Sequence, residues 1–218
     1  MIVIVTAMDK EYDIVKKRLK DSYDEKGNQR GLLKDKEVLL VKTGIGKVNA
    51  AFALANILYS LSNVERVISV GCAGAAVDDL QVGDIVVGNS YCYHDVCCGE
   101  PNANGQVQDM PAVFPSDFTS LNEAERYRLG TIATGDWFVT SREKVEAIKN
   151  YLPNSYNVCA IDMESAALAQ VCYKQGIPFV SIRAISDNPL LPKSQKQQYK
   201  QFWRYIADTA FVALFKLL

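Results

Sequence analysis

The sequence lacks any excess of charge of one sign, since 24 Lys and Arg oppose 25 Asp and Glu for a formal net charge of -1. Such a chain has no long-range basic field with which to gather nucleic acid or anionic lipid. It also lacks a long apolar run, and none approaches the roughly 18 residues of a membrane span. The opening MIVIVTA is too short for a signal peptide and has no basic start. We therefore expect a cytoplasmic protein without nucleic-acid or membrane partners.

Histidine is scarce, and the cysteines do not form a framework. The chain has one histidine and six cysteines, of which Cys159 and Cys172 lie in apolar segments, as small buried hydrophobes do. One segment, CYHDVCC, crowds four possible metal ligands, Cys92, His94, Cys97 and Cys98. A structural zinc site usually takes paired ligands from two separate segments, and no second pair is present here. We interpret this segment as a strand end leading into a loop, with a sulfur-ligated metal protein as the alternative.

Nucleotide-cofactor motifs are missing as well. The stretch TGIGKV fails as a P-loop because Val41 stands where the first glycine belongs and Val48 replaces Ser or Thr. The stretch GCAG, residues 71–74, lacks the spacing of a dinucleotide site. No cofactor and no metal are therefore expected. We interpret residues 71–74 as a turn after a strand, whose backbone N–H groups are suited to hold an oxyanion or a water.

What the sequence does contain is an alternation of short β-branched runs with longer helical ones. Seven runs predict strands, and their continuous apolar character is typical of a sheet covered on both faces: MIVIVTA, EVLLVKTG, RVISVG, GDIVVGNSYCY, GTIATG, NVCAIDM and PFVSIRAIS. Between them, KVNAAFALANILYSL, SREKVEAIKNYL and ESAALAQVCYKQG predict helices, the last ending at Gly176. An apolar stripe predicts a helical tail, through Tyr199, Phe202, Ile206, Ala210, Ala213 and Leu217. The pattern predicts one α/β domain, residues 1–218, with a mixed sheet flanked by helices.

Acidic residues follow three of the predicted strands, where ligands of open α/β sheets bind. Glu11 follows the first strand, Glu164 follows NVCAID, and Asp187 follows PFVSIRAIS. Each also has a structural interpretation, because a glutamate at a helix start complements the macrodipole and Ser-Asp-Asn-Pro can simply begin a turn. Asp162 alternates with Glu164 along the strand, so we expect it on the other face, against solvent or a structural partner.

Seven pieces of the sequence, taken together in their order, resemble the purine nucleoside phosphorylase superfamily. They are TAMDKE, KTGIGKVNAA, SVGCAGA with VGDIVV, YHD, TGDWFV, IDMESAALA and PFVSIRAISD. Within that superfamily the chain is most similar to the 5′-methylthioadenosine/S-adenosylhomocysteine nucleosidases. The resemblance implies a nucleoside phosphorylase-like fold and hydrolysis of the N-ribosidic bond of adenine-type nucleosides. It also implies a homodimer in which a partner segment closes the pocket, and residues 107–114 are the expected exposed apolar contributor.

The same resemblance assigns roles to particular residues. Glu11 matches the carboxylate that activates the attacking water, and Asp187 matches the acid that protonates N7 of the purine. Glu164 matches the residue that binds the ribose hydroxyls. The other expected substrate-binding residues are Met163 beneath the sugar, Phe138 and Val139 at the adenine, Ser186 and Arg183 beside Asp187 and the sugar, and Met8, Ile45 and Cys72.

Phosphorolysis is the main alternative, because the same fold also uses phosphate as the nucleophile. The hexameric bacterial phosphorylases of the superfamily carry an arginine where this chain has Ser69, which favours water as the nucleophile here. Three departures from the nucleosidase pattern leave the exact substrate open: Thr6 for glycine, Cys72 for serine, and the bulk of Trp137. A hydrolase of another nucleoside such as futalosine and a non-catalytic nucleoside-binding protein stay as further alternatives. The second of these needs neither Glu11 nor Asp187, and both are present.

Overall fold

The computed structural model describes residues 1–120 and 127–217. The strands are β1 (Ile2–Thr6), β2 (Lys20–Glu25), β3 (Asn28–Leu33), β4 (Lys36–Lys42), β5 (Arg66–Ala75), β6 (Ile85–Tyr93), β7 (Phe114–Pro115), β8 (Arg128–Thr134), β9 (Val158–Asp162) and β10 (Phe179–Asp187). The helices are α1 (Asp9–Lys16), α2 (Lys47–Ser60), α3 (Arg142–Tyr151), α4 (Ser165–Gln175), α5 (Gln195–Gln201) and α6 (Ala207–Leu217). The predicted mixed sheet flanked by helices is confirmed.

The described strands form one mixed sheet in the order β10-β6-β8-β9-β5-β1-β4-β3-β2, with β7 paired to β6. An additional parallel pairing joins β10 to β5. Since β5 also pairs with β9, the strands β5, β10, β6, β8 and β9 close into a small barrel, while β1 to β4 continue the sheet outward. Closure brings the ends of β1, β5, β9 and β10 toward one region.

The interior strands are apolar on both faces because helices cover both sides of the sheet. In β1, Val3 and Val5 pack into one core cluster, together with Leu54 of α2, whereas Ile2 and Ile4 pack into a second cluster with Phe211 of α6. Successive side chains of a strand point to opposite faces, so this division follows directly from the run IVIV. The continuous apolar runs of the sequence are thus explained by double-sided burial.

The predicted turn at residues 71–74 is wrong, because these residues continue strand β5. Gly71, Cys72 and Ala73 pair in register with residues 183–185 of β10, and Gly74 pairs with both Asp187 and Ile161. The glycines mark close approach of side chains instead of a change of direction. A Cβ atom built on Gly71 would lie 2.8 Å from Oε1 of Glu11. The missing side chain at Gly71 therefore leaves room for the Glu11 carboxylate to lie against the backbone of β5.

Two further parts of the fold differ from the sequence prediction. The hairpin of β2 and β3 was not predicted, because KDSYDE is polar and largely exposed and has no apolar alternation. The tail is helical, but a π-helical segment, Phe202–Ile206, separates α5 from α6. Phe202 and Ala210 of the predicted stripe are buried, whereas the side chains of Ala213 and Leu217 lie outside the described residues. Across residues 1–120 and 127–217, no helix combines the length and the apolar character needed to cross a membrane.

Candidate active site

A cleft opens where the described strands β1, β5, β9 and β10 end. Its free space is about 110 Å³, and about 690 Å³ when the space open to solvent at its mouth is included. Ten of the eleven predicted site residues line it: Met8, Glu11, Ile45, Cys72, Phe138, Val139, Met163, Glu164, Ser186 and Asp187. Arg183 is the exception. Residues far apart in the sequence are brought together because each lies near the end of a strand, either within it or just after it.

Glu11 lies in the first turn of α1, and its carboxylate is held by three backbone N–H groups. Oε2 accepts from Ala7 at 3.0 Å and from Met8 at 3.1 Å, and Oε1 accepts from Cys72 at 3.0 Å. The side chain is buried. Burial raises the pKa of Glu11, while the nearby Arg183 and the three N–H donors act in the opposite direction. The result is an oriented carboxylate whose basicity is higher than that of an ordinary glutamate.

Glu164 is the N-cap residue of α4 and is also buried. Its Oε1 accepts a hydrogen bond from the backbone N–H of Gly46 at 3.0 Å, across the cleft from its own helix. Burial, followed by the negative charge of Asp162, raises the pKa of Glu164 to about 8, and Arg183 opposes that shift. A bound group with positive charge would therefore stabilise the ionised form of Glu164.

Asp162 forms a buried ion pair with Arg183 beneath the cleft. Nε of Arg183 donates to Oδ2 of Asp162 at 2.9 Å, and Oγ1 of Thr134 donates to Oδ1 at 2.6 Å. We expected Asp162 to face either solvent or a structural partner. The partner is confirmed, and exposure to solvent is wrong, because Asp162 is buried. Arg183 also donates to Oγ of Ser69 at 3.0 Å. Because these two partners occupy its guanidinium, Arg183 forms no ion pair with Asp187 and does not reach the cleft.

Asp187 ends β10 and faces the cleft opposite Glu11. Oγ of Ser186 donates to its Oδ1 at 2.6 Å, so Ser186 lies beside Asp187 as the family resemblance implied. Burial raises the pKa of Asp187, and the hydrogen bond from Ser186 acts in the opposite direction. A carboxyl group with a raised pKa retains its proton more readily near neutral pH and can donate it to a bound molecule.

An aromatic wall forms the opposite side of the cleft, on the loop after β8. Trp137 is 52% exposed and Phe138 54%, whereas Val139 is buried. The Phe138 ring lies 5.7 Å from that of Tyr199, nearly perpendicular to it, and the Tyr199 hydroxyl lies 3.7 Å from Sδ of Met8. Sequence reasoning missed Tyr199 as a lining residue, because its place in the apolar stripe of the tail indicated only core packing. Nothing local distinguishes it from Phe202.

The segment with the single histidine does not converge on a metal site. Cys92 and His94 are buried within or just after β6, whereas Cys97 and Cys98 are exposed. Within the part of the chain that the structure describes, no three His, Cys, Asp or Glu side chains are grouped so as to hold a metal ion. The strand end leading into a loop, predicted for CYHDVCC, is present.

A second, much smaller cavity lies behind the carboxylates. It has about 10 Å³ of free space, close to the room of one water molecule. The residues around it include Glu11, Ser69, Cys72, Glu164 and Arg183. Glu11, Cys72 and Glu164 line both this cavity and the main cleft. A single small nucleophile held there would lie between Glu11 and the floor of the cleft.

Comparison with known proteins agrees with this fold. The family model described as the Phosphorylase superfamily matches residues 1–217. A 5′-methylthioadenosine/S-adenosylhomocysteine nucleosidase from Marinomonas sp. is 34% identical over 100% of this chain and 98% of that protein. A nucleosidase of the same name from Bacillus cereus is 38% identical over 92% of this chain and 90% of its own length.

Solved structures give the same result. The nucleosidase from S. pneumoniae with a transition-state inhibitor superimposes with a TM-score of 0.83 at 33% identity, covering 99% of this chain and 98% of that one. A protein from Borrelia burgdorferi, solved with adenine bound, gives a TM-score of 0.87 at 28% identity. The match covers 99% of this chain and 98% of that one. The chain therefore belongs to the phosphorylase superfamily and, within it, to the 5′-methylthioadenosine/S-adenosylhomocysteine nucleosidase family.

Proposed function

We propose that this chain hydrolyses the N-ribosidic bond of adenine-type nucleosides, with 5′-methylthioadenosine and S-adenosylhomocysteine as substrates, and releases adenine. The observation that carries the proposal is the convergence of three buried carboxyl groups, Glu11, Glu164 and Asp187, on one cleft. Family membership at full chain length supports the same reaction.

Asp187 is the general acid in this proposal. Cleavage of a ribosyl C–N bond needs a leaving group that can accept electrons, and protonation of the purine at N7 supplies it. The raised pKa of Asp187, caused by burial, favours the protonated carboxyl that this step requires. Ser186 fixes the orientation of the carboxyl through its 2.6 Å hydrogen bond.

Glu11 is the general base, and water is the nucleophile. The small cavity behind Glu11 is of a size to hold about one water molecule. Ser69 lines that cavity and accepts a hydrogen bond from Arg183. A raised pKa brings the basicity of Glu11 closer to neutral pH, where a general base is most effective. These features favour hydrolysis over phosphorolysis.

Glu164 binds the ribose hydroxyls, and Phe138 stacks on the base. Because the transition state carries positive charge on the sugar, a carboxylate beside the ribose is stabilised in its ionised form as the reaction proceeds. The positive charge on the sugar thus favours the ionised form of Glu164, which the raised pKa disfavours in the free protein. Met163, between Asp162 and Glu164, lines the floor of the cleft.

The substrate assignment is tested by incubating the protein with 5′-methylthioadenosine, S-adenosylhomocysteine, adenosine, inosine and futalosine. We expect free adenine from the first two at the highest kcat/KM. Inosine or futalosine as the best substrate would move the assignment to another nucleosidase. Binding of all five without release of any base would favour a nucleoside-binding protein.

Assembly as a homodimer is part of the same proposal, but the expected surface changes. In residues 107–114, Phe114 is buried and forms edge-to-face contacts with Tyr93 and Tyr173, so this segment is not the exposed apolar contributor that was predicted. Exposed apolar side chains instead lie along α2, where Val48 is 77%, Phe52 69% and Tyr59 94% exposed. Their spacing of four and seven residues places them on one face of the helix.

Sedimentation tests this assembly. We expect a dimer of the native chain at assay concentration and a monomer for Phe52→Lys. The matched control is Tyr205→Lys, which changes a side chain of similar exposure, 68%, on the tail and leaves the dimer intact. A fully active monomer of the native chain would contradict the proposal.

A further inference from the structure

Two consecutive backbone amides at the start of α2 hold carboxylates from different walls of the cleft. The N–H of Gly46 donates to Oε1 of Glu164 at 3.0 Å, and the N–H of Lys47 donates to Oδ1 of Asp136 at 2.9 Å. Glu164 belongs to the wall formed by β9 and α4, whereas Asp136 belongs to the loop that carries Phe138 and Val139. The start of α2 therefore joins the two walls.

The side chain of Lys47 strengthens this junction. Its Nζ lies 2.7 Å from both carboxylate oxygens of Asp95 and 3.8 Å from Oδ2 of Asp136. Asp95 in turn accepts the backbone N–H of Asp136 at 2.9 Å. The side chains of Lys47 and Asp95 are only 21% and 11% exposed, so solvent screens this pair less than an ordinary surface ion pair.

The loop is also supported from beneath by His94. A Cβ atom built on Gly135 would lie 2.3 Å from Cε1 of the imidazole, so the backbone at Gly135 rests directly on the ring. The His94 ring lies 5.5 Å from that of Trp137. The N–H of His94 donates to the carbonyl of Thr134, just before the loop, at 2.9 Å. With its base supported by His94, the loop depends on Lys47 and Asp95 for its lateral position.

From these contacts we propose that Lys47 is a positioning residue, which sets the distance between the base-binding loop of Phe138 and Val139 and the carboxylate of Glu164. Lys47 lies outside the lining of the cleft, so it acts through Asp95, Asp136 and its own backbone amide. The inference rests on the proposed function, because it assumes that one ligand spans both walls. Displacing the loop would weaken contact with the base more than it would slow bond cleavage.

The test measures adenine binding and steady-state kinetics in Lys47→Met, Lys47→Arg and a control, Arg128→Met. Arg128 forms an exposed ion pair with Asp79 at 3.0 Å, and both side chains are more than 40% exposed. Adenine affinity is followed by the intrinsic tryptophan fluorescence of the protein, to which Trp137 in the lining of the cleft contributes. For Lys47→Met we expect the adenine Kd and the KM to rise on the order of tenfold, with a much smaller change in kcat. Lys47→Arg should recover most of the loss, and Arg128→Met should match the native chain.

Two results would overturn the proposal. One is a Lys47→Met variant whose Kd and KM equal those of Arg128→Met. The other is a parallel loss of Tm, kcat and KM that arginine does not recover, which indicates a structural role. If Lys47→Met does not fold, Asp136→Ala decides, because the 47% exposed Asp136 can be changed with less effect on folding, and the same rise in Kd is expected. Failure of the proposed function itself is distinguished by the native chain, which would then release no adenine.

Discussion

The two walls of the cleft are built in opposite ways. On the sugar side, Glu11, Glu164 and Asp187 are each less than 10% exposed and are oriented by backbone N–H groups or by a neighbouring serine. On the base side, Trp137 and Phe138 are each about half exposed and lie on a loop. Groups whose pKa must be controlled are placed in the core before a ligand arrives. Trp137 and Phe138 are left partly open, and in the proposed function a bound base completes their burial.

This difference predicts different mutational effects on the two walls. Changes on the sugar side should alter turnover strongly, because the proposed function assigns the carboxyl groups to the chemistry. Changes on the base side should alter binding and leave the folded state nearly as stable as before.

The largest effect is expected for Asp187→Asn. The amide keeps the shape of the side chain but has no transferable proton, so kcat for 5′-methylthioadenosine should fall by about two powers of ten or more. Asp79→Asn, at an exposed aspartate outside the cleft, is the matched control and should keep native kcat. Unchanged turnover of correctly folded Asp187→Asn would mean that Asp187 has only a structural role at the turn after β10.

Glu164→Gln should lower kcat/KM by on the order of a hundredfold. The amide oxygen can still accept the N–H of Gly46, so little stability should be lost, but the charge that faces the cationic sugar is gone. A 2′-deoxy substrate should show a smaller difference between variant and native protein, since it lacks part of this contact. An early-melting variant with normal turnover would instead make Glu164 a structural helix cap.

Phe138→Ala should act mainly on binding. Stacking of a base on an aromatic ring contributes about 1–3 kcal/mol, which corresponds to a rise in adenine Kd of about 5- to 150-fold. Because Phe138 is half exposed, the Tm of the Phe138→Ala variant should differ little from that of the native chain. Tyr23→Ala, at a similarly exposed ring on β2, is the control, and an adenine Kd equal to the control's would remove Phe138 from the base site.

The smallest effect is a pH-dependent change in stability. Burial raises the pKa of Asp187 above its ordinary value of 3.8, so its contribution to stability is complete below that value and is lost as the pH rises through the folded-state pKa. Asp187→Asn does not ionise. Its free energy of unfolding should therefore improve relative to the native chain between pH 4 and pH 8, by roughly 1.4 kcal/mol for each unit of pKa shift.

Urea unfolding of both proteins at several pH values measures that difference. Asp79→Asn again serves as the control and should run parallel to the native chain. A free energy of unfolding of Asp187→Asn that stays constant or falls relative to that of the native protein as the pH rises would contradict a raised pKa at Asp187.

Much of this arrangement was predictable from sequence, because buried parallel strands leave continuous apolar runs and functional residues follow their ends. That pattern predicted that Glu11, Glu164 and Asp187 lie at the cleft. The family resemblance predicted the same for Phe138 and Val139. The extension of β5 through Gly71 and Gly74 was not predictable, since glycine indicates a turn unless the pairing with β10 is known. Barrel closure is a long-range property that no local pattern records.

Side-chain partners were the least predictable feature. Arg183 was expected beside Asp187, but its guanidinium pairs with Asp162 instead, and the register of β10 shifts between Ile185 and Asp187. Tyr199 reaches the cleft only because α5 lies across the end of β10, and its sequence context is that of a core residue. The junction at Lys47 joins the start of α2 to two loops, at separations of 48 and 41 residues along the chain, and nothing in the sequence connects them.

The identity of the nucleophile tests the account most directly. The native chain is incubated with 5′-methylthioadenosine in phosphate-free buffer and again with added phosphate, and the sugar product is identified in each. The account predicts equal adenine release in both, with the free 5-methylthioribose as the product, because Glu11 is proposed to activate a water molecule and Ser69 stands where the phosphorylases carry an arginine. A strict requirement for phosphate, with a sugar 1-phosphate as the product, would contradict it.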